Sequence, residues 1–143
     1  ELFAAWFEHQ RDSAYRAAES LRLATLIFTL LRVHDELESG VLQPALAAVL
    51  GNDPALADTA AQRAEVDVVL DRVESMAAAD AIEPATMREL EREAGEWFEA
   101  SERGLYARAR ESGLDLVALD RELASRQEAL LEGGPEAADE AQR

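Results

Sequence analysis

The chain has no cysteine and no lysine. Without cysteine there are no disulfides, thiolate metal sites, iron–sulfur clusters or cysteine nucleophiles, so any metal must be held by histidine and carboxylate. Without lysine every basic group is an arginine guanidinium, and 14 arginines stand against 30 acidic residues, leaving a net charge of -16. That sign repels nucleic-acid phosphates and anionic lipid, and neither is expected as a partner. No apolar run reaches the roughly 18 residues of a membrane span, and no charged-then-apolar leader precedes a cleavage site. The expected compartment is the cytoplasm, with a removed leader left open because the sequence starts at Glu1 and not at Met.

Aromatics make up only 6% and glycine 7 residues, whereas Ala, Leu, Glu and Arg dominate a chain that is 48% hydrophobic. These are strong helix formers, and the composition predicts an all-α protein. At 143 residues the chain is one domain's worth, long enough to bury a sizeable fraction of its surface around one core.

Leu2, Trp6, His9 and Ser13 share one helical face, and nothing between Glu1 and Ala18 breaks a helix. Ser20 is the expected N-cap of a second helix, Leu21–Leu42. Pro44 weakens the end of that helix, because proline cannot donate to the helical ladder and disfavours helix in Gln43. A kinked extension over Ala45–Leu50 then stops at Gly51-Asn52. Asp53-Pro54 reads as an N-cap with proline at the first helical position, opening a third helix to about Ala78 with Ala61, Glu65, Val68 or Val69, Val73 and Met76 inward. After a break at Asp80–Pro84, Thr86-Met-Arg-Glu89 has the form of a capping box. The fourth helix should run to Arg110 with Leu90, Ala94, Trp97 or Phe98, Ser101 and Leu105 inside. Beyond Gly113 a shorter amphipathic segment, Leu116–Leu131, can dock across the others. Residues 133–143 form a polar tail that is expected to be disordered. The arrangement predicted is an up-down-up-down four-helix bundle over residues 1–132 with an additional short C-terminal helix.

The chemistry concentrates in Leu30–Pro44. Ile27, Leu31, His34, Glu38 and Val41 follow the three-and-four spacing of one helical face, so a histidine and a carboxylate point inward among leucines. A buried carboxylate carries a desolvation cost of roughly several kcal/mol unless a hydrogen bond, an opposite charge or a metal satisfies it. If helices one and two meet at a tight turn near Leu21-Arg22, His9 and His34, the only histidines, face each other. Two histidines and a carboxylate suit one non-haem iron or zinc ion. The plain alternative is that His34 and Glu38 hydrogen-bond each other or an arginine. A faint internal repeat also slides Leu30–Pro44 onto Glu93–Ala107 at an offset of 63, placing His34 over Trp97, Ser39 over Glu102 and Leu42 over Leu105. The arginine-rich run Arg103–Arg110 pairs with acids at helical spacing and reads as a solvated face.

Trp6-Phe-Glu-His9 and His34-x-x-x-Glu38, followed by Val41-Leu42-Gln43-Pro44, resemble the first two ligand segments of the hemerythrin-like (HHE cation-binding) domains. The resemblance implies a four-helix bundle with a non-haem diiron centre, whose later ligands are a histidine on helix three and a histidine followed by an acid on helix four. This chain departs there: Ala61, Glu65 or Val69 stands at the helix-three position, Trp97 replaces the helix-four histidine, and the acid is Glu102 or is lost at Ser101. The implied site is reduced, with His9, His34, Glu38 and Glu102 as ligands and Glu65 as a weaker candidate. Its indole would fill the volume of the second metal. The expected function is therefore binding of a single iron or zinc ion, or none. The alternatives are a metal-free helical module that acts through protein or homo-oligomer contacts and, ranked last, a mononuclear iron enzyme that activates oxygen or peroxide. No nucleophile triad, phosphate loop or dinucleotide fingerprint is present.

Overall fold

The computed structural model describes the backbone of residues 1–9 and 17–141 and the side chains of residues 1–8 and 17–133. Within them the protein is all-helical, without strands, and no helix is long and apolar enough to cross a membrane. In chain order the elements are α1 (Leu2–His9), α2 (Ala17–Leu37), a π-helical turn (Glu38–Leu42), α3 (Gln43–Leu50), α4 (Pro54–Ala78), α5 (Pro84–Ala100), a second π-helical turn (Ser101–Tyr106), α6 (Ala107–Glu111) and α7 (Leu116–Ala141). α1 lies on α2, α4 packs along α5, and α7 crosses α2 and the first π turn.

The helix ends follow local chemistry, with two corrections. Asp53 caps α4, its Oδ1 accepting the Ala55 amide at 2.9 Å with Pro54 at the first helical position, as expected. The Thr86–Glu89 capping box does not form: α5 starts at Pro84, and Thr86 is buried one turn in, its hydroxyl 3.4 Å from Glu83 Oε2. The fixed φ of Pro84 suits the first helical position and draws the start of the helix forward. Ser20 likewise lies inside α2, which begins at Ala17, so the turn expected near Leu21-Arg22 is absent. Asp80, with φ 54°, closes α4; aspartate is among the few residues that tolerate this left-handed geometry. α7 spans 26 residues and is not the short segment expected. Its backbone stays helical beyond Gly133, where the Glu/Ala-rich sequence favours helix. A disordered tail was expected over residues 133–143; of these, the side chains from residue 134 and the backbone of residues 142 and 143 lie outside the described residues.

Pro44 does not stop the second helix. Its ring would clash with the carbonyl four residues back, and the chain widens into the π turn Glu38–Leu42, in which the Gln43 amide bonds the Glu38 carbonyl. The helix then continues as α3, and the Gln43 side chain donates to the Leu56 carbonyl at 3.1 Å, tying α3 to α4. The second π turn occupies the matching place after α5. There Gly104 lets α4 approach closely, since a Cβ at Gly104 would lie 3.3 Å from that of Ala55.

The core has two apolar clusters. The larger joins Trp6 of α1, Leu23–Leu31 of α2, Val66–Val73 of α4 and Met87–Trp97 of α5. The smaller joins Val41, Leu42 and Leu46 to Leu56, Leu105, Ala109 and Leu119. On three elements the residue lying between the two clusters along the chain is buried and polar: Glu38, Thr59 and Ser101. Leu90, Ala94, Trp97, Ser101 and Leu105 all face inward as predicted. On α4 Val69 and Val73 face inward as predicted, joined by Leu56, Thr59, Val66 and Leu70, while Ala61, Glu65 and Val68 are exposed. The stripe was misjudged because alanine and valine recur on several faces of α4.

An ionic seam closes α2 on α4. Arg32 reaches Asp67 at 3.4 Å, Asp71 at 2.5 Å and Glu74 at 3.2 Å, and Arg63 reaches Asp35 at 3.0 Å. Burial, and then the facing Asp67 carboxylate, raise Asp35 to about 6, although Arg63 opposes the shift. A carboxyl raised in the folded state binds more protons there than in the unfolded chain, so its stabilisation is complete below about pH 4 and is lost as pH rises through about 6. Asp35→Asn should therefore flatten the fall in stability between about pH 4 and 6 and raise stability at pH 7.5 by about 1 kcal/mol, read by urea melts across that range. Gly95→Ala should add about 0.5–1 kcal/mol, since its Cβ would meet nothing within 4 Å and alanine is the better helix former. Gly104→Ala should gain nothing in the same melts, because of Ala55.

Candidate functional site: a buried carboxylate held by three side chains

Glu38 is 2% exposed at the start of the first π turn, between the two apolar clusters. Its partners come from two directions. From its own helix, His34 Nε2 lies 3.3 Å from Oε1. From α5 and the second π turn, the Trp97 indole Nε1–H donates to Oε2 at 2.7 Å and the Ser101 hydroxyl donates to Oε1 at 2.5 Å. Burial pushes the Glu38 carboxyl up, but the hydrogen bonds from His34, Ser101 and Trp97 outweigh it and hold the group below the usual glutamate range. The buried residue is thus an anion, stabilised by N–H and O–H donors that favour the charged form. Because an ionised carboxylate only accepts, His34 Nε2 carries the hydrogen.

Tyr106, at the end of the second π turn, places its hydroxyl 3.4 Å from the same His34 nitrogen. Burial first, and then the Glu38 charge, push this phenol up to about 12, so it stays neutral. The His34 ring meets Trp97 edge-on at 4.8 Å and Phe98 at 4.9 Å. Trp97 is fully buried, at the height of His34, as its position in the repeat suggests. Trp6 is the other fully buried indole, yet its N–H has no hydrogen-bond partner among the described residues.

The expected ligands are placed differently from one another among the described residues. His34 and Glu38 meet, but Glu65 and Glu102 are exposed to solvent. Arg72, a conceivable partner for Glu65, pairs with Glu89 at 3.1 Å. The side chain of His9 lies outside the described residues. Its backbone closes α1, whereas it is the start of α1, Glu1 to Phe3, that shares a cavity with His34. Among the described residues no group of three or more histidine, aspartate or glutamate side chains could hold a metal ion. Both Glu38 oxygens instead accept hydrogen bonds from protein donors.

Ser101 and Tyr106 were missed as partners of the site, and Trp97 was read as a filler and not as a donor. The signal was the offset of 63 residues, which also superimposes Glu38 on Ser101. Pairs related by the repeat, His34 with Trp97 and Glu38 with Ser101, touch each other, and both copies carry a π turn. No family model, curated protein or solved structure matches the chain.

Trp97→Phe keeps most of the ring volume and deletes one donor to a buried anion, and should cost about 1–3 kcal/mol. Trp97→Ala adds a cavity and should cost about 3–5 kcal/mol. A carboxylate depressed in the folded state stabilises above its unfolded value and loses that stabilisation as pH falls through its folded value. Trp97→Phe should therefore move acid unfolding to higher pH, whereas denaturant melts with equal losses for the two variants and an unchanged acid midpoint would remove Glu38 from the account.

Proposed function

We propose that the chain is a hemerythrin-like four-helix bundle, with α7 added, in which hydrogen bonds on Glu38 stand where the family's metal centre would be. It acts as a metal-free helical module through contacts with other proteins. The observation that carries this reading is the coordination of Glu38: both carboxylate oxygens accept short bonds, from Trp97 Nε1–H at 2.7 Å and from the Ser101 hydroxyl at 2.5 Å. A metal at His34 and Glu38 would have to take the place of the Nε2–H between them, on a carboxylate that already accepts from Trp97 and Ser101. Glu65 and Glu102, the carboxylates expected as further ligands, are exposed and do not fit such a centre. Contacts with other proteins are supported by α2, on which Leu21 and Leu26 are 43% and 38% exposed.

A second reading, a single iron or zinc ion held by His34, Glu38 and His9, is favoured by the 3.3 Å between His34 Nε2 and Glu38 Oε1, a separation that two ligands of one ion can share. Untagged protein separates the two. Under the metal-free reading, elemental analysis finds well below stoichiometric iron or zinc, and added Fe(II) or Zn(II) leaves the melting temperature unchanged, because a ligand that binds only the native state must raise it. Near-stoichiometric metal that disappears in His34→Ala would overturn the proposal in favour of the mononuclear site.

A further inference from the structure

Above His34 the helices leave a cavity of about 370 Å³, lined from α1, α2, α5 and α7. Phe3, Leu30, Leu37 and Phe98 supply apolar wall, and the polar lining residues are Glu1, His34 and Gln127. No arginine lines it, although the chain has 14. The volume falls within the range of roughly 300–1,000 Å³ typical of small-molecule sites. Leu30 and Phe98 are 42% and 40% exposed, so the wall is open to an entering ligand without unfolding.

The imidazole gives the cavity its chemistry. His34 is held from the inner side, Nε2 lying 3.3 Å from Glu38 and 3.4 Å from the Tyr106 hydroxyl, and from the flanks by Trp97 and Phe98. With the ring hydrogen on Nε2, the other nitrogen, Nδ1, is the acceptor, and among the described residues it has no hydrogen-bond partner. The His34 side chain is 34% exposed. A largely apolar cleft that offers an imidazole acceptor and no arginine fits an apolar body bearing an uncharged donor.

We propose that this cavity binds a small neutral hydroxylated molecule of the alkylphenol type, with its hydrocarbon against Phe3, Leu30, Leu37 and Phe98 and its hydroxyl donating to His34 Nδ1. A carboxylate analogue is rejected: it cannot donate to Nδ1, it meets a lining that holds Glu1 and no arginine, and it enters against the charge of a chain at -16. A hydrocarbon analogue fits the wall but forgoes the hydrogen bond. The site rests on the metal-free reading, because an ion held at Nε2 would leave the ring hydrogen on Nδ1 and remove its acceptor; elemental analysis of the untagged protein tests that reading separately.

The test titrates the full chain with 4-ethylphenol, ethylbenzene and 4-ethylbenzoate, following amide shifts by NMR. The phenol should saturate one site with a Kd on the order of 1 mM, as befits a ligand of about nine heavy atoms. It should bind about three- to tenfold more tightly than ethylbenzene, the equivalent of one net hydrogen bond. The benzoate should not saturate. His34→Phe should abolish the preference for the phenol while ethylbenzene binding persists, and Leu30→Glu, at an exposed position that leaves the fold intact, should remove binding of both. Equal affinities for phenol and hydrocarbon, tighter binding of the benzoate, a phenol preference that survives His34→Phe, unaltered binding by Leu30→Glu, or no saturation by any probe would each overturn the proposal.

Discussion

One carboxylate constrains the molecule. Glu38 sits where the core changes from one apolar cluster to the other, and an uncompensated charge there would cost more than a single apolar side chain returns on burial. The compensation comes mainly from the other half of the chain, through Trp97 and Ser101. Those bonds hold only if α5 stands at one height against α2. A slide of one helical step, about 1.5 Å, would strand an indole N–H, a hydroxyl and an anion together. Apolar packing tolerates many registers, and the charge selects one.

The two π turns belong to this arrangement. Each widens its helix next to the polar layer, the first beginning at Glu38 and the second at Ser101, the residues that meet in the layer. π turns inside α-helices are uncommon and frequently mark functional positions. Here one has a local cause in Pro44. The other contains no proline and instead permits the close approach of Gly104 to Ala55. The core beyond the turns is small and lined by Leu46, Leu105 and Leu119, so the end of the molecule remote from α1 rests on a modest apolar cluster and on the α7 crossing.

Charge is handled differently at the surface and in the core. The surplus of acids gathers around arginines at helical spacing or across the α2–α4 seam, where Arg32 faces three carboxylates. Such exposed pairs contribute little each. Within the seam Asp35 is driven towards its neutral form, while a few residues away Glu38 is driven towards its charged form. Both are acids of α2 and its continuation. One faces another carboxylate, and the other faces three donors.

The helical class, the inward face of α5, the Asp53-Pro54 start of α4 and the inward pair His34 and Glu38 were all legible in the sequence, because they rest on spacing, caps and backbone preferences acting within a few residues. The weak repeat carried more than it promised, since two of its aligned pairs, His34 with Trp97 and Glu38 with Ser101, touch. What spacing could not decide was the height of one helix against another. The turn after α1 was placed at Leu21-Arg22 from a capping serine, whereas α2 starts at Ala17, and the stripe of α4 was drawn through exposed Glu65 because alanines and valines leave its faces nearly equal. The sequence by itself determined that a buried carboxylate on α2 must find partners. Only the tertiary structure decided that they are an indole N–H and a hydroxyl from 59 and 63 residues further along the chain, because which donors reach a buried anion depends on how the helices pack against one another, and that is not written in any single stretch of it.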